Sequence, residues 1–474
     1  MNNATQPTTR REFLGRTALA TAAFQVVPSR VLGLDGGASA NERLNLAAVG
    51  VAGQGRGDLE NLVQGDQVNV VALCDVDWSH AADTFRRWPQ AKQYKDYREM
   101  LDKEPSIDAV VVATPDHVHA FASIAALQRG KHVYCEKPLT HSVWEARQVA
   151  ALARRQRVAT QMGNQGAASV ETRRLCEFVW AGAIGKVREA HVWTDRPSRG
   201  LFEEYWPQGV ERPQDEPAVP ETMAWDLWIG PAPWRPWHPA YAPFRWRGWW
   251  DFGTGALGDI GCHALDPVCR ALRLGSPAVY REQPAWDEDV LAQAVHPVSV
   301  QASSTRVNKE TFPLGSMVTY EFAATAERPE VKVVWYDGGM RPPRPRDLPE
   351  QVPMGDNGRL IIGDEGYILG NRVFPDSRRS DVGEVPETIW RSPGHYREWL
   401  DACRGGRPPG SNFDWAGPLA EIVLLGNVAL RPELREALTT AKLLWDPAKL
   451  EVTNLPGANA FVRRAYREGW SPGV

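Results

Sequence analysis

The sequence predicts an α/β fold in which a doubly wound parallel sheet is followed by a second α/β domain built on an open, mostly antiparallel sheet. Apolar runs alternate with helix-like stretches from residue 44 to residue 162, which is the pattern of successive βαβ units. The continuous apolar run at 107–113 is typical of a strand buried on both faces of a parallel sheet. After about residue 166 the predicted strands are longer and more polar and follow one another, which indicates the second sheet.

The predicted elements divide the chain into three segments, 1–40, 41–165 and 166–474. Hydrophobic periodicity locates the elements of the second segment, with strands at 44–51, 68–74, 107–113, 132–135 and 158–162 and helices at 58–63, 80–88, 117–129 and 142–155. The third segment is predicted to hold strands at 187–194, 298–304, 317–322, 331–335 and 360–362 and helices at 395–403 and 419–430. The stretches 196–256 and 341–357, rich in Pro, are predicted to be loops.

The first segment, 1–40, has the features of a targeting signal rather than of a folded domain. Thr9-Arg10-Arg11-Glu12-Phe13-Leu14 resembles a twin-arginine export motif, and Ala38-Ser39-Ala40 offers a small-residue cleavage site. The weakly apolar run between them is too short to span a membrane permanently. We therefore expect a protein that the twin-arginine machinery exports to the periplasm, without a stable membrane span.

Composition argues against several classes of protein. The 474 residues carry a net charge of −4, so no basic surface for nucleic acid is indicated. None of the six cysteines forms a Cys-x-x-Cys pair, which argues against a zinc ribbon or a redox motif, and we expect buried, unpaired thiols. Most of the 20 tryptophans are expected in the core.

A glycine-rich stretch, Gly50-Val51-Ala52-Gly53-Gln54-Gly55-Arg56-Gly57, follows the first predicted strand and leads into a helix. Dinucleotide-binding segments carry Gly-x-Gly-x-x-Gly in this context, and here Ala52 stands at the second glycine position with Gly53 directly after it. Asp75 ends the second strand, where a carboxylate would bind the ribose hydroxyls; Asp77 is the alternative if the register slips. The residues expected to contact the cofactor here are Gly50, Ala52, Gly53, Gln54, Gly55, Arg56 and Asp75. No basic residue follows Asp75 until Arg86, which favours NAD over NADP.

Two further segments follow strands and should face the same crevice, because ligands of open α/β sheets bind beyond the carboxyl ends of the strands. Thr114, Pro115 and His117 follow the strand at 107–113 and are expected along the cofactor, although His117 could equally be a helix residue without a role. Lys137 follows the strand at 132–135, and Pro138 restricts the backbone on both sides of it, so the lysine should be held rigidly in the crevice.

The stretch Gly258–Asp266 carries a second group of chemically active residues. Asp259 and His263 are four residues apart and share one face of a helix. Oxidation of an alcohol requires a base for the hydroxyl proton, and His has a suitable pKa; Lys137 is suitable if burial or nearby positive charge lowers its pKa. Asp259 would orient His263 or hold a substrate hydroxyl, and the alternative is a structural Asp–His pair. No metal site is predicted, because only two or three ligand-type residues occur here.

A Trp- and Arg-rich loop precedes that stretch. Arg245, Trp246, Trp249 and Trp250 are predicted to lie near the substrate, because stacked aromatic rings offer large contact area to a sugar ring. The alternative is that these side chains belong to the core.

The glycine stretch, Glu136-Lys137-Pro138 and Asp259-x-x-x-His263, in this order, resemble the glucose-fructose oxidoreductase/inositol dehydrogenase/MocA family. The resemblance runs from about residue 44 to the C-terminus and implies a Rossmann domain at 41–165 and a substrate and oligomerisation domain at 166–474. It also implies that Lys137, Asp259 and His263 are catalytic and that Glu136, Lys137 and Asn164 contact the cofactor. Ala52 departs from the family pattern.

Three functions are compatible with the sequence. The first is an exported NAD-dependent oxidoreductase, forming a homodimer or homotetramer, that acts on a sugar, a sugar derivative or a cyclitol. The second is a redox-neutral glycosidase or lyase that recycles tightly bound NAD. The third, a non-catalytic sugar-binding protein, is disfavoured because Lys137 and His263 are both present. Net formation of NADH distinguishes the first two.

Overall fold

The computed structural model describes residues 43–65, 68–200, 203–277 and 279–474. The predicted export signal at 1–40, including Arg10 and Arg11, lies outside the described residues. Residues 45–62 and 70–474 form one compact unit, and the contacts described below lie within it. In the described residues the helices are α1 Gln54–Leu62, α2 Ala82–Arg87, α3 Tyr97–Lys103, α4 Asp116–Gln128, α5 Val143–Gln156, α6 Val170–Trp180, α7 Trp225–Ile229, α8 Gly255–Ala264, α9 Asp266–Ala271, α10 Asp376–Val382, α11 His395–Ala402, α12 Phe413–Ala429, α13 Arg435–Leu438 and α14 Asn459–Val462.

The strands form two main sheets. In the same described residues they are β1 Leu44–Val49, β2 Val68–Cys74, β3 Lys92–Tyr94, β4 Ala109–Val112, β5 His132–Cys135, β6 Thr160–Met162, β7 Val187–Trp193, β8 Ser198–Arg199, β9 Glu203–Glu204, β10 Ser299–Ser304, β11 Ser316–Phe322, β12 Val331–Tyr336, β13 Gly358–Gly363, β14 Tyr367–Leu369, β15 Arg372–Phe374, β16 Leu443–Asp446 and β17 Glu451–Val452.

The first sheet has the order β3-β2-β1-β4-β5-β6 over the part of the chain that is described. The pairs β1–β4, β2–β3, β4–β5 and β5–β6 are parallel, and β4 is buried along its whole length. The strand order changes direction between β1 and β4, which is the topological switch point where open α/β sheets bind ligands. The sheet therefore directs the ends of β1, β4 and β5 toward one crevice.

The second sheet has the order β15-β14-β13-β7-β12-β11-β10-β16-β17 among the described strands. β7 and β12 pair in parallel, and the other adjacent pairs are antiparallel. The predicted fold class, a doubly wound parallel sheet followed by a mostly antiparallel one, is therefore confirmed. Helix α12 is buried on nearly all sides and packs against α5 and α8, so it connects the two halves of the molecule.

Several elements differ from their predicted form. α1 begins at Gln54, four residues before the predicted helix, because the glycine stretch itself turns into the helix. The helix that carries Asp259 ends at Ala264, and α9 restarts at Asp266 with Pro267 in its first turn, as the proline predicts. The segment 196–256 is mostly loop but contains α7.

Within the described residues no single helix is long and apolar enough to cross a membrane, although the bent pair α12 and Pro432–Leu438 passes on length and composition. The six cysteines are unpaired, five buried and Cys403 half-buried.

Candidate active site

A cavity of about 280 Å³ lies where the ends of the first-sheet strands meet the loop at 223–247. Residues that follow β1, β2, β4 and β5 contribute part of its lining. The second half of the molecule, residues 166–474, contributes the loop at 223–247 and Trp470. The sequence-predicted residues among its lining are Gly50, Ala52, Gly53, Gln54, Asp75, Thr114, Pro115, Glu136, Lys137 and Trp246.

The glycine stretch shapes the β1 end of this cavity. A Cβ at Gly55 would lie 1.9 Å from the carbonyl oxygen of Gly50, so Gly55 allows helix α1 to pack closely on the turn. Gly53 has a φ of +51° and faces open space, which leaves a concavity at the N-terminus of α1. Helix N-termini with exposed backbone are suited to phosphate groups, so this turn fits a dinucleotide pyrophosphate.

Asp75 is fixed at the end of β2 by two backbone groups. Its Oδ2 accepts a hydrogen bond from the amide of Val51 at 2.9 Å, and its Oδ1 accepts one from the amide of Asp77 at 2.9 Å. Burial raises the pKa of Asp75 above its ordinary value, and the two hydrogen bonds oppose that rise. The carboxylate is therefore held rigidly beside the glycine turn, which is the position that a ribose requires.

Lys137 and Arg247 line the cavity, and both donate hydrogen bonds to Asp259, which lies outside the cavity lining. The ammonium of Lys137 donates a 2.8 Å hydrogen bond to Oδ1 of Asp259, and Nε of Arg247 donates a 3.1 Å hydrogen bond to the same atom. Burial lowers the pKa of Lys137, but Asp259 and Glu136 outweigh that effect and the net pKa is raised. Burial raises the pKa of Asp259, but the two cations lower it well below its ordinary value.

From the sequence, Lys137 is a suitable base only where its pKa is lowered, whereas the raised pKa in the protein alone means that the lysine carries its proton at neutral pH. Such a group stabilises negative charge on an oxygen or donates a proton. The Lys137–Pro138 peptide bond is cis.

His263 lies one helical turn beyond Asp259 on α8 and is half-buried. Burial and the charge of Lys137 lower the pKa of His263 to about 4, with Asp259 opposing the shift. The imidazole is therefore neutral at pH 7. Oδ1 of Asp259 accepts hydrogen bonds from Lys137 and Arg247, so Asp259 holds the two cations, and its roles toward His263 or a substrate hydroxyl stay predictions.

Glu136 lies beneath Lys137 in a buried carboxyl pair with Asp58. Burial raises the pKa of Glu136 to about 8, and the neighbouring Asp58 adds to the rise. Nε2 of Gln165 donates a 3.0 Å hydrogen bond to Oε1 of Glu136. The amide of Lys137 donates a 3.3 Å hydrogen bond to Oε2 of Glu136, so this carboxyl group is held directly beside Lys137.

Asp116 was missed in the sequence, although its neighbours on both sides were selected. It lines the cavity, is only 1% exposed, and accepts a 2.5 Å hydrogen bond on Oδ2 from the hydroxyl of Thr254. Burial raises its pKa to about 7, and the nearby carboxylate of Asp259 contributes. A sequence pattern contains no signal for such burial, which depends on the second half of the chain.

His117 is placed differently from the prediction. Its side chain is fully buried, with Nδ1 3.2 Å from the carbonyl oxygen of Phe252 and Nε2 2.9 Å from that of Trp228. The ring therefore joins α4 to the loop of the second half instead of lying along the cofactor. The histidines that line the cavity are His80 and His119, and the ring nitrogens of His119 lie 2.7 Å from the carbonyl oxygens of Pro138 and Thr114.

Three other predicted cofactor contacts lie outside the cavity lining described above. Gly55 is a packing residue beneath the turn. Arg56 is exposed and pairs with Asp83 at 3.5 Å. Asn164 is buried, and its Nδ2 donates a 3.4 Å hydrogen bond to the carbonyl oxygen of Cys262 on α8.

The Trp- and Arg-rich loop contributes Trp246 and Arg247 to the cavity, and Arg247 was not predicted. Trp249 is 1% exposed and donates its indole N–H to the carbonyl oxygen of Ala240 within an aromatic cluster. Trp250 packs on Phe312 in a different cavity, and Arg245 is exposed and pairs with Glu204. Trp249 and Trp250 therefore match the alternative of core placement, whereas Arg245 lies at the surface, which neither interpretation predicts. The loop turns at the short helical segment 245–248.

In the described ranges no group of three or more His, Cys, Asp or Glu side chains could hold a metal ion.

Comparison with known proteins identifies this architecture. Residues 44–164 match the model of an oxidoreductase family with an NAD-binding Rossmann fold, and residues 199–277 match the C-terminal α/β domain of the same family. Levoglucosan dehydrogenase of Pseudarthrobacter phenanthrenivorans is 27% identical over 39% of this chain and 38% of its own length. A glycosyl hydrolase family 109 protein of Stenotrophomonas maltophilia is 35% identical over 27% of this chain and 29% of its own length. The chain therefore spans less than half the length of these curated relatives.

Among solved structures, the WlbA dehydrogenase from Bordetella pertussis in complex with NADH and UDP-GlcNAcA has a TM-score of 0.54 and 15% identity. The superposition covers 85% of this chain and 99% of that protein, which shows a shared fold. The glycine turn and Asp75 described above fit the NAD that the family description names. Residues 44–164 and 199–277 therefore resemble the NAD-binding Rossmann domain and the C-terminal α/β domain of this oxidoreductase family.

Proposed function

We propose that this protein is an NAD-dependent oxidoreductase that transfers hydride between nicotinamide and a hydroxyl-bearing carbon of a sugar, a sugar derivative or a cyclitol. Lys137 and His263 handle the hydroxyl proton, and Asp259 holds Lys137 in place. The observation that carries the proposal is that Lys137 and Arg247, both hydrogen-bonded to the buried Asp259, line the same cavity as the glycine turn. Names of relatives, such as levoglucosan dehydrogenase, support the class of substrate.

The charges of the cavity suggest how the residues divide the work. When bound, NAD supplies the hydride acceptor. Lys137 is positively charged at neutral pH and would donate a hydrogen bond to the substrate oxygen, which stabilises negative charge as the proton leaves. His263, neutral at the same pH, is the group able to take that proton. Residues 41–165 would bind the nucleotide, and residues 166–474 would supply the substrate and oligomer surfaces.

A second candidate is a redox-neutral glycosidase or lyase in which the same residues serve a cycle that returns the hydride. The partial similarity to a glycosyl hydrolase family 109 protein favours it. A panel of sugars, anhydrosugars, glycosides and cyclitols should be incubated with the protein while absorbance at the NADH band and product identity are both recorded. Net NADH supports the first candidate, and product without net NADH supports the second. Neither signal with any member of the panel would contradict both.

The proposal includes export of the folded protein with NAD already bound. Arg10-Arg11 supports the twin-arginine route, which carries folded proteins, and unpaired cysteines are compatible with folding before export. Replacing Arg10-Arg11 with Lys-Lys should retain the full-length chain inside the cell. Light scattering of the exported protein tests whether it is the proposed homodimer or homotetramer; a monomer would contradict that part.

A further inference from the structure

The C-terminal strap, which we define as residues 463–474, crosses the Rossmann domain. Nε of Arg464 and the hydroxyl of Tyr466 both donate to Oε1 of the fully buried Glu145, at 2.8 and 3.0 Å. Arg464 also donates a 2.6 Å hydrogen bond to the carbonyl oxygen of His117. The strap is therefore anchored to the helices α4 and α5 that flank β5.

A second segment, which we call the cover turn and define as residues 222–230, lies against the end of β2. The amide of Ala224 donates to the carbonyl oxygen of Val76 at 2.8 Å, and the amide of Trp78 donates to that of Thr222 at 3.2 Å. These hydrogen bonds begin one residue after Asp75, the proposed ribose ligand. Three residues of the cover turn, Met223, Leu227 and Trp228, line the cavity.

Arg467 fastens the strap to the cover turn. Its guanidinium donates to Oδ1 of Asp226 at 2.5 Å and to the carbonyl oxygen of Gly230 at 2.9 Å. Its own amide donates to the carbonyl oxygen of Pro231 at 3.0 Å. The two segments therefore move together or separate only when these bonds break.

Trp470 brings the strap to the cavity itself. Its ring lines the cavity, with the guanidinium of Arg98 4.6 Å from the ring centroid and the ring of Phe121 5.8 Å away. The lining residues near this end of the cavity, Asp75, Asp77, Lys95, Asp96 and Tyr97, all belong to the Rossmann domain. Lys137, to which the proposed function assigns the chemistry, follows β5 and lines the same cavity.

We propose that the strap and the cover turn retain bound NAD by closing over its adenosine end, so that Trp470 and Arg467 set the rate of nucleotide release. This inference rests on the proposed function, because it requires the dinucleotide to lie between Asp75 and Lys137. Trp470 forms part of the cavity wall and would contact the nucleotide. Arg467 is a positioning residue that acts through Asp226 and Gly230. A nucleotide enclosed in this way dissociates only after the wall opens, which slows release without any new contact to the nicotinamide.

The test measures nucleotide retention directly. The full chain and the variants Trp470→Ala, Trp470→Phe and Arg467→Ala are purified without added nucleotide, and bound NAD is released with acid and quantified by chromatography. Release rates are then followed by chasing isotopically labelled NAD with unlabelled NAD. Trp234→Ala is the matched control, because Trp234 is 62% exposed on the same half of the molecule. Unfolding midpoints of the nucleotide-free proteins show whether each variant is folded.

Trp470→Ala and Arg467→Ala should release NAD at least about tenfold faster than the wild type, a difference of 1.4 kcal/mol in the barrier. Trp470→Phe should keep most of the retention, and Trp234→Ala should match the wild type. Equal release rates in folded Arg467→Ala and the wild type would overturn the proposal even if Trp470→Ala fails to fold. NADH formation by the wild type on the sugar panel is scored separately, so a failed function and a failed retention mechanism give different results.

Discussion

Nζ of Lys137 lies 2.8 Å from Oδ1 of Asp259, although the two residues are 122 positions apart in the chain. Lys137 follows a strand of the Rossmann sheet, and Asp259 belongs to α8 in the second half. Both side chains are largely shielded from water, with exposed fractions of 14% and 9%. The pairing of Lys137 with Asp259 therefore forms only when α8 packs against the Rossmann domain.

Replacing Lys137 with Met should lower kcat by roughly 100-fold or more, the usual loss when acid–base assistance is removed. The side chain keeps its length, while Asp259 keeps the cation of Arg247, so the protein should fold and bind NAD. Lys186→Met, at an exposed position, is the control. Turnover near the wild-type value in the Lys137 variant would contradict the assignment.

Replacing His263 with Ala should reduce kcat more than nucleotide affinity, since the imidazole is proposed to accept the hydroxyl proton. Because burial lowers its pKa to about 4, the histidine stays neutral through the physiological range. Stopped-flow or steady-state kcat should be compared with the dissociation constant of NAD and with the unfolding midpoint. A variant that loses only stability would assign His263 to the core of α8.

Replacing Asp116 with Asn should change how stability depends on pH. The folded-state pKa of about 7 is above the ordinary value of 3.8, so the folded form of the wild type binds a proton more tightly than the unfolded form. That contribution is fully present below about pH 4 and is lost as the pH rises through about 7. Asparagine has no proton to lose, so the unfolding temperature of the variant should fall less between pH 5 and pH 8. Identical pH dependence in both proteins would show that Asp116 is ionised throughout.

Trp246 and Trp249 should respond differently to replacement with Ala. Trp249 is 1% exposed, and its truncation should cost about 3–5 kcal/mol of unfolding free energy, as for other buried large aromatic residues. Trp246 lines the cavity, and the guanidinium of Arg247 lies 4.2 Å from its ring centroid. Truncation of Trp246 should therefore raise KM for the true substrate. Chemical denaturation and steady-state kinetics on both variants separate the two effects. A raised KM in folded Trp249→Ala with no loss of stability would reverse the assignment.

Replacing Gly55 with Ala should prevent tight NAD binding, because the added Cβ would lie 1.9 Å from the carbonyl oxygen of Gly50 and would force the turn open. Gly57→Ala is the matched control on the same helix. Its Cβ would meet no atom within 4 Å, so the helix should gain about 0.5–1 kcal/mol. Titration of both variants with NAD measures the difference, and equal affinities would show that the turn tolerates the methyl group.

The first sheet was largely predictable, because its strands are short, continuous apolar runs separated by helices of ordinary length. β3 was missed, since Lys92–Tyr94 is a short polar strand at the sheet edge without an apolar pattern. The rule that ligands of open α/β sheets bind beyond the carboxyl ends of strands was enough to predict that Asp75, Thr114 and Lys137 line one cavity. Residues whose role depends on contacts between the two halves, such as Asp116 with Thr254 and Arg247 beside Lys137, carry no local signal.

Spacing along a helix predicted the relation of Asp259 to His263 but not the partners of Asp259. The carboxylate faces Lys137 and Arg247, whose approach depends on the packing of α8 against the Rossmann domain. Likewise, the composition of the loop at 245–250 indicated an aromatic surface near the substrate, but the turn at 245–248 directs Trp249 inward. Orientation within an irregular loop cannot be inferred from composition.

The strap at 463–474 also determines when the cavity is complete during biosynthesis. Chains are made from the N-terminus, so the Rossmann strands are available for pairing before residues 463–474 leave the ribosome. Trp470 and Arg467 follow every strand of both main sheets in the chain. A nascent chain therefore has its glycine turn and Asp75 while the cavity is still open, and the enclosed form arises only after residues 463–474 have emerged.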